Sequence, residues 1–422
     1  MLHYYVKNIS DILAYFIFFY PIIMSIVWMI GGLYFWARRE RKETKKPEFN
    51  INYPPITILV PCYNEEKTIA NLCTRLTTLK YPDYHVIFID DASTDSTADI
   101  IRKFVDNTDN FHLLRLTQNS GKAKALNYAL FNFVNTPITV IIDADTIIGE
   151  NSLYEIVKPF LFQPRLGAVT GNPIVMNREY FLEKLQAAEF ASIISLIKRS
   201  QRVIGRVFTV SGCFAAYNTK VLREIGGFSP LTATEDIDIT WRIQKHFYEV
   251  WFVPQAIAYI QVPSNLKEFF KQRRRWALGG WQLLRTHKDV FTSWKYRRLW
   301  PIYIESILSA VWGIAFVIGS IIWLINFIFH TNFYFFVSPL PQWYGSIISL
   351  VCITQFIVAI FVNHQYDKNL WKELFWIPWY PLFFFCFGAL FIVATLPKGL
   401  FGSMEKAGIW KSPERKKINV SI

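Results

Sequence analysis

The chain has 422 residues, of which 52% are hydrophobic, 17% aromatic and only 18% charged. This composition is too apolar for an ordinary soluble protein and too charged for a bundle made only of membrane helices. The formal net charge is +13, but the basic residues gather where apolar runs end, so we expect no nucleic acid partner. The five cysteines lack paired or metal-like spacing, which predicts neither a disulfide framework nor a zinc site.

Four apolar runs are long enough to cross about 30 Å of hydrocarbon, which takes roughly 20 helical residues. One precedes the polar part of the chain and three follow it, at residues 12–36, 302–329, 343–362 and 370–396. The basic stretch "ARRERKETKK" follows the first run, which predicts a retained anchor with the next domain in the cytoplasm. Three later spans would place the basic C-terminal tail outside. Either one late run is re-entrant or interfacial, or the charge rule is broken.

Between the first and second apolar runs, short β-branched segments alternate with helix-length amphipathic ones. The segments "ITILV", "HVIFID", "FHLLRL" and "ITVIID" have the composition of buried strands. Strands separated by helices pair in parallel, so the sequence predicts an α/β fold with a doubly wound, mostly parallel sheet, inserted between transmembrane α-helices. In such sheets ligands bind at the carboxyl ends of the strands.

Two polar clusters follow the first two predicted strands. "PCYNEE" supplies the ring of Tyr63 and the carboxylate of Glu65, which suit a planar base or a sugar, unless the cluster simply begins the next helix. "IDDAST" places Asp90 and Asp91 side by side at a strand end. Helix capping explains the hydroxyl residues that follow, but two adjacent acids need a cation or a hydrogen-bonding ligand.

A third acidic cluster, "IIDADT", places Asp143 and Asp145 on nearly the same side of an extended chain. This arrangement suits a hard divalent cation, Mg²⁺ or Mn²⁺, completed by phosphates and water. In "NSGKAKALN", Lys122 and Lys124 open a helix, where the dipole favours a phosphate. A solvated lysine pair is the alternative.

Two further clusters lie towards the second apolar run. In "TATED", Thr234 is the expected helix cap, and Asp236 is either an acid that complements the helix dipole or a general base. In "KQRRRWALGG", Arg275 and its neighbours would stabilise a diphosphate leaving group, and a tryptophan offers a flat face to a sugar. A cytoplasmic membrane anchor is the alternative for this basic stretch.

Together and in this order, "DD", "DAD", "TED" and "QRRRW" resemble the motifs of the processive family 2 glycosyltransferases, membrane enzymes that make and extrude polysaccharide. Within that family, "LGAVTGNP", "EFASIISLIKRSQRV" and "FTVSGCFAAY" resemble most the bacterial poly-β-1,6-N-acetyl-D-glucosamine synthases. The resemblance implies a GT-A-like fold and an inverting hexosyltransferase that polymerises N-acetylglucosamine from UDP-N-acetylglucosamine for biofilm formation. Another processive synthase, of the hyaluronan, chitin or cellulose type, and a non-processive lipid-carrier glycosyltransferase stay open as alternatives.

The resemblance also implies a role for each candidate residue. The catalytic residues are Glu235 and Asp236, with Asp236 as the base. The residues implied to bind the donor nucleotide sugar are Tyr63, Glu65, Asp90, Asp91, Lys122, Asp143, Gln272 and Arg275. The residues implied to bind the acceptor are Gly212, Cys213 and Trp276. Asp143 and Asp145 would hold the metal, Mg²⁺ or Mn²⁺.

The expected organisation has five parts and places the protein in the cell membrane with its catalytic domain in the cytoplasm. The parts are an N-terminal anchor with its basic flank, a GT-A domain, an amphipathic interfacial region containing QRRRW, about three C-terminal transmembrane helices and a basic tail. They cover residues 1–50, 51–264, 265–298, 299–400 and 401–422. The expected partners are UDP-N-acetylglucosamine, the growing polysaccharide, the lipid bilayer and, from the resemblance, a small two-helix membrane subunit.

Overall fold

The computed structural model describes residues 2–41, 52–331, 343–383 and 387–404. Within these residues, eight strands form a single sheet. They are β1 (Ile56–Cys62), β2 (Tyr84–Asp90), β3 (Phe111–Arg115), β4 (Ile138–Ile142), β5 (Ile147–Ile148), β6 (Leu166–Val175), β7 (Phe214–Asn218) and β8 (Glu249–Ile260).

The helices of the described residues surround the sheet or extend away from it. They are α1 (Leu2–Phe35), α2 (Ile69–Thr77), α3 (Thr97–Val105), α4 (Lys122–Asn132), α5 (Ser152–Phe162), α6 (Phe181–Glu189), α7 (Ile197–Ile204), α8 (Thr219–Glu224), α9 (Glu235–Lys245), α10 (Leu266–Thr286), α11 (Asp289–Thr292), α12 (Trp300–Phe329), α13 (Trp343–Asn363), α14 (Tyr380–Phe383) and α15 (Ala389–Phe401). Two π-helical segments, Trp36–Glu40 and Phe190–Leu196, and two 3₁₀ segments, Trp294–Leu299 and Lys368–Trp379, adjoin them.

The strand order is β3-β2-β1-β4-β7-β6-β8-β5. Four of the seven neighbouring pairs are parallel: β1 with β2, β2 with β3, β1 with β4, and β6 with β8. The other three, β4 with β7, β6 with β7, and β5 with β8, are antiparallel. The four segments predicted as strands are β1 to β4, so the doubly wound, mostly parallel sheet is confirmed, with β7 running against its neighbours.

Each face of the sheet has its own hydrophobic core. Ile58 and Val60 of β1 belong to the cluster under α2, α3 and α5, whereas Leu59 belongs to the cluster under α4, α8 and α9. Successive strand residues point to opposite faces, so a strand covered on both sides is apolar throughout. All seven residues of β1 are buried. This two-sided burial explains the uninterrupted apolar segments in the sequence.

Three helical stretches are long and apolar enough to cross a membrane: Asp11–Glu40, Trp294–Phe329 and Gly345–Asn363. They correspond to the first three predicted spans. Most of the expected basic flank, at 42–50, and most of the expected basic tail, at 405–422, lie outside the described residues.

The fourth predicted span, residues 370–396, does not form one continuous α-helix. Its first part is the 3₁₀ segment Lys368–Trp379, followed by the short α14 and by α15, which has 13 residues. Pro378 and Pro381 lie within this stretch, and proline lacks the backbone N–H that an α-helix requires. The described residues of this run therefore do not form one spanning helix, and the alternative of a re-entrant or interfacial segment stays open.

A buried ion pair joins the end of the first membrane-type helix to the sheet domain. Arg199 in α7 is fully buried, and its Nε and Nη2 lie 2.6 and 2.9 Å from the two carboxylate oxygens of Glu40. Asn363, at the end of α13, accepts a hydrogen bond from Arg199 Nη1 at 3.2 Å. Gln365 and Tyr366 each donate to Glu40 at 2.9 Å. Elements distant in the sequence therefore meet at this pair.

Arg199→Met is expected to lower the free energy of unfolding by about 3–5 kcal/mol, because it leaves the carboxylate of Glu40 buried without its cation. The measurement is the thermal unfolding midpoint of the detergent-solubilised chain. Lys80→Ala is the control, since it breaks the solvent-exposed Lys80–Glu150 pair and is expected to leave the midpoint unchanged. An unchanged midpoint in Arg199→Met would show that the buried pair does not stabilise the fold.

Candidate active site

A cavity of about 790 Å³ lies beyond the carboxyl ends of β1 and β4. It is lined by eleven of the fourteen residues that the sequence proposed for the site: Glu65, Lys122, Asp143, Asp145, Gly212, Cys213, Glu235, Asp236, Gln272, Arg275 and Trp276. The three others, Tyr63, Asp90 and Asp91, are not part of its wall. The cavity therefore brings together groups that are up to about two hundred residues apart in the sequence.

Lys122 lies at the centre of this group of charges. Its Nζ is 2.7 Å from Asp143 Oδ1 and 3.1 Å from Glu235 Oε1, and it faces the carbonyl oxygen of Gly212 at 3.4 Å. Burial lowers the pKa of Lys122, but the charges of Asp143 and Glu235 outweigh this effect and raise it above its usual range. The side chain is therefore a permanent cation between the two acidic clusters.

The adjacent acids Glu235 and Asp236 have different acidities. Burial and the nearby charge of Glu235 together raise the pKa of Asp236 to about 6, although Lys122 and Arg275 oppose the increase. Burial acts in the same direction on Glu235, but Lys122 and Arg275 hold its pKa below the usual range. Two neighbouring carboxyl groups with separated pKa values have distinct chemical roles. Asp236 is the better proton acceptor of the two, as a general base requires.

Asp236 sits in the first turn of α9, with its carboxylate against a glycine. Its Oδ1 accepts a hydrogen bond from the backbone N–H of Ile237 at 3.0 Å. A Cβ atom on Gly212 would lie 3.2 Å from Asp236 Oδ2, so the close approach of this backbone is easiest for a residue without a side chain.

Thr234 occupies the predicted capping position of α9, but its side chain makes no capping hydrogen bond. It packs against α10, where a Cβ on Gly279 would lie 2.3 Å from Thr234 Oγ1. The expected cap is therefore wrong, because the hydroxyl lies in the contact between two helices.

Asp90 and Asp91 are fully buried and bind the protein itself. Asp91 accepts hydrogen bonds from the N–H and hydroxyl of Ser120, at 2.8 and 3.0 Å, and from the N–H of Gly121 at 2.8 Å. Asp90 lies 3.2 Å from Arg115 Nε. Asp91 therefore holds the loop that begins α4 and so places Lys122. Contact of Asp90 and Asp91 with a uridine stays a prediction.

The first polar cluster is divided between the cavity and its surroundings. Glu65 lines the cavity although only 4% exposed, and its Oε2 accepts a hydrogen bond from Thr68 Oγ1 at 3.0 Å. Tyr63, by contrast, is half-buried and lies outside the cavity wall. The proposed uracil contact of Tyr63 also stays a prediction.

Arg275 and Gln272 bring α10 to the cavity. Arg275 Nη1 donates at 3.2 Å to the carbonyl oxygen of Ala233, two residues before Glu235 of α9. Gln272 Oε1 is buried without a hydrogen-bond partner in the described part of the chain. An acceptor left unpaired beside a cavity is suited to a ligand that donates a hydrogen bond.

Trp276 is held by an arginine that the sequence did not single out. The guanidinium of Arg273 lies 4.2 Å from the centre of the indole, a cation–π contact. Arg273 Nη2 also pairs with Glu189 Oε2 at 2.5 Å, and Tyr380 donates to Glu189 at 3.2 Å. The middle arginine of the motif, Arg274, is exposed.

Asp143 and Asp145 both line the cavity and are the residues that could hold a cation. Burial raises the pKa of Asp143, and Asp145 adds to the increase while Lys122 opposes it. Within the described residues, no group of three or more His, Cys, Asp or Glu side chains is arranged to hold a metal ion. Two carboxylates fit a hard divalent cation whose other ligands are phosphate and water oxygens.

The cavity also has a membrane side that sequence reasoning missed. Glu305, Ser306 and Ser309 of α12 line it, together with Ile392 of α15. Lys198 of α7 lies in the wall of the same cavity. Two features of the sequence could have indicated these residues. Glu305 is a carboxylate within an apolar run of helix length, and two cations lie within the apolar stretch "ASIISLIKRS".

Comparisons with known proteins agree with this architecture. Residues 54–279 match the family model described as "Glycosyltransferase like family 2". The chain is 35% identical over 407 residues to the poly-β-1,6-N-acetyl-D-glucosamine synthase of Staphylococcus aureus (strain COL), covering 95% of this chain and 98% of that one. It is 33% identical over 418 residues to the Staphylococcus epidermidis enzyme of the same name, covering 96% and 98%.

A solved structure shows the same fold. A mannosyltransferase from Pyrobaculum calidifontis, in complex with GDP-Man and Mn²⁺, superposes with a TM-score of 0.56 at 20% identity and covers 90% of this chain and 98% of that one. At this identity the likeness shows the fold alone, which is GT-A-like. The family model and the two synthases go further: the chain belongs to glycosyltransferase family 2.

Proposed function

We propose that the chain is a processive, inverting glycosyltransferase that makes poly-β-1,6-N-acetyl-D-glucosamine from UDP-N-acetylglucosamine. The observation that carries the proposal is the single cavity in which Asp143, Asp145, Asp236, Arg275 and Trp276 meet. Relatives that share a third of their residues over almost the whole chain are named as synthases of this polymer. That similarity supports the choice of sugar and linkage.

In the proposed reaction, Asp236 takes the proton of the acceptor's terminal hydroxyl. The freed oxygen attacks the anomeric carbon of the donor sugar, and the bond from that carbon to the diphosphate breaks with inversion. Lys122 and the guanidinium of Arg275 stabilise the negative charge that develops on the departing UDP. Asp143 and Asp145 would hold a divalent cation, Mg²⁺ or Mn²⁺, which neutralises diphosphate charge when bound. Trp276 offers its ring to the acceptor sugar.

The same cavity supports passage of the product towards the membrane. A polysaccharide cannot dissolve in lipid, because each unsatisfied hydroxyl costs several kcal/mol. The carboxylate of Glu305 and the hydroxyls of Ser306 and Ser309 extend the cavity wall along α12. We propose that the nascent chain leaves by this route and contributes to biofilm matrix outside the cell.

We place the protein in the cell membrane with its sheet domain in the cytoplasm. Arg38, Arg39 and Arg41 follow the apolar part of α1 and support this orientation by the positive-inside rule. The small two-helix membrane subunit implied by the family resemblance stays a prediction.

The test is to incubate the purified chain in lipid vesicles with Mg²⁺ and each member of a UDP-sugar panel, and then to treat the product with linkage-specific hydrolases. We expect turnover of UDP-N-acetylglucosamine alone and a long product that only a β-1,6-N-acetylglucosamine hydrolase degrades. A product cut instead by hyaluronan-, chitin- or cellulose-specific enzymes would contradict the assignment. Transfer of a single sugar to lipid would show a non-processive enzyme.

The pH dependence of kcat/KM tests the role of Asp236. Burial raises the pKa of this carboxyl to about 6, so its active, deprotonated form is lost as the pH falls through that value. We expect kcat/KM for UDP-N-acetylglucosamine to fall by about tenfold per pH unit below this point. The affinity for UDP-N-acetylglucosamine, whose diphosphate does not titrate in this range, serves as the control. A rate that stays constant down to the ordinary pKa of an aspartate would contradict the assignment.

A further inference from the structure

Lys198 in α7 is a buried cation that the proposed mechanism does not use. It is 3% exposed, and it lies in the wall of the cavity. Its Nζ is 2.6 Å from Ser211 Oγ and 3.4 Å from Thr170 Oγ1. In the part of the chain that the structure describes, no carboxylate lies within 4.0 Å of this ammonium. The ring of Phe252 also lies below it, with its centre 5.9 Å from Nζ. Burying an ammonium without a carboxylate partner is costly, so its position calls for a function.

The partner of Lys198 belongs to a turn of three residues, Ser211, Gly212 and Cys213, here named the SGC turn. The N–H of Ser211 donates to Thr170 Oγ1 at 2.7 Å. Gly212 packs against Asp236, and its carbonyl oxygen faces Lys122 Nζ.

The last residue of the SGC turn reaches the other acidic cluster. The carbonyl oxygen of Cys213 accepts a hydrogen bond from the N–H of Asp143 at 3.1 Å. The turn therefore contacts the proposed base, the proposed cation site and the lysine between them. Lys198 binds the turn through the hydroxyl of Ser211.

We propose that Lys198 is a positioning residue for sugar transfer, which holds the SGC turn through Ser211 and so sets the place of Asp236 relative to the acceptor hydroxyl. The inference rests on the proposed function and assigns it a further residue. Gly212 has no side chain that could hold its distance from Asp236, so the bonds made by its neighbours in the turn set that distance. The hydroxyl of Ser211 makes one of these bonds. The bond from Lys198 to Ser211 provides that anchor.

Charge supports the same role. The titratable groups that act on Lys198 are Cys213 and Asp236, and burial lowers the pKa of Lys198 to about 8 despite them. Asp236 in turn is influenced by Glu235, Lys122 and Arg275. A protonated Lys198 favours the ionised form of Asp236. Loss of the Lys198 proton at alkaline pH would weaken its bond to the SGC turn. It would also remove the positive charge that favours the ionised form of Asp236.

The experiment compares Lys198→Met, Lys198→Arg and Ser211→Ala in the full chain in lipid vesicles, with kcat, KM for UDP-N-acetylglucosamine and pH profiles as readouts. For Lys198→Met we expect kcat to fall by roughly 100-fold, the effect of an ångström-scale misplacement. The KM for the donor is expected to change little. The acidic limb of the pH profile is expected to move to higher pH, because Asp236 loses a nearby positive charge. Lys198→Arg should restore most of the rate and remove the alkaline limb near pH 8, since arginine stays protonated.

Ser211→Ala separates position from charge. It removes the anchoring hydroxyl and keeps the cation, so kcat is expected to fall while the acidic limb stays in place. Lys220→Met, at an exposed position on α8, is the matched control and should behave like the unchanged chain. If Lys198→Met fails to fold, Lys198→Arg and Ser211→Ala still decide the question.

Two outcomes would overturn the inference. Wild-type kcat and pH profiles in Lys198→Met, or in both Lys198→Arg and Ser211→Ala, would show that Lys198 only fills space. A loss of folded protein with a normal rate per folded molecule would show the same. If the unchanged chain turns over no UDP-sugar, both the proposed function and this inference fail. If the unchanged chain is active and the variants have the same kcat and pH profiles, the inference fails and the proposed function stands.

Discussion

Asp236→Asn is expected to lower the rate of polymer formation by about 100- to 10,000-fold, the contribution of a general base. The asparagine amide has nearly the same shape but cannot accept the proton of the acceptor hydroxyl. The side chain lies against Gly212 and near Lys122, not among the residues implied to bind uridine. Affinity for UDP-N-acetylglucosamine should therefore persist. The measurements are UDP release during turnover and a calorimetric titration with the donor.

Asp238→Asn is the matched control, two residues further along α9. Asp238 is buried outside the cavity wall and pairs with Arg242 and His287. Its loss is expected to lower stability and the yield of folded protein, while the rate per folded molecule stays close to normal. If Asp236→Asn instead weakened donor binding as much as it slowed turnover, Asp236 would be a ligand of the donor and not the base.

The four parallel strands β1 to β4 were predictable, and β7, which runs against its neighbours, was not. "ITILV" and "ITVIID" are uninterrupted β-branched runs, because both faces of β1 and β4 are covered. β7, "FAAYN", has a weaker composition and pairs with β4 and β6 in the opposite direction. Pairing direction depends on how distant segments meet, and that information is not local to either segment.

The charged residues of the motifs could be assigned to the site from the sequence. Whether each of their side chains faces the cavity or the protein interior could not. Asp143 and Arg275 line one cavity, as expected. Asp91 also follows the end of a strand, but its carboxylate binds the loop at Ser120 and Gly121. A sequence shows that a buried carboxylate needs a partner and does not show whether that partner is a ligand or a neighbouring loop.

The remaining differences arise from signals that hydropathy alone overlooks. The run at 370–396 has the hydropathy of a span, yet Pro378 and Pro381 interrupt it. Lys198 belongs to "EFASIISLIKRSQRV", which contributed only to the family resemblance, and only the fold shows that its ammonium reaches Ser211.

Arg275→Lys is expected to reduce polymer synthesis by roughly 100-fold, although it keeps the positive charge. Arg275 uses Nη1 to donate to the carbonyl oxygen of Ala233 while its side chain lines the cavity. A guanidinium can bind that carbonyl and a diphosphate oxygen at once, because its donors form a planar fork. A lysine side chain is shorter and ends in one nitrogen, so it cannot bind the carbonyl oxygen of Ala233 and a diphosphate oxygen at the same time. The measurements are polymer yield and the inhibition constant of UDP.

Arg274→Lys is the control for this change, since Arg274 is the adjacent residue of the same helix, is exposed like Arg275 and does not line the cavity. This substitution also replaces an arginine by a lysine without changing the net charge of the helix. It is expected to give normal polymer yield and normal inhibition by UDP. If Arg275→Lys matched this control, the cluster would act only through its charge at the membrane surface. A loss confined to Arg275→Lys, with weaker inhibition by UDP, would show that the planar group grips the leaving diphosphate, because inhibition reports binding of that group without any transfer.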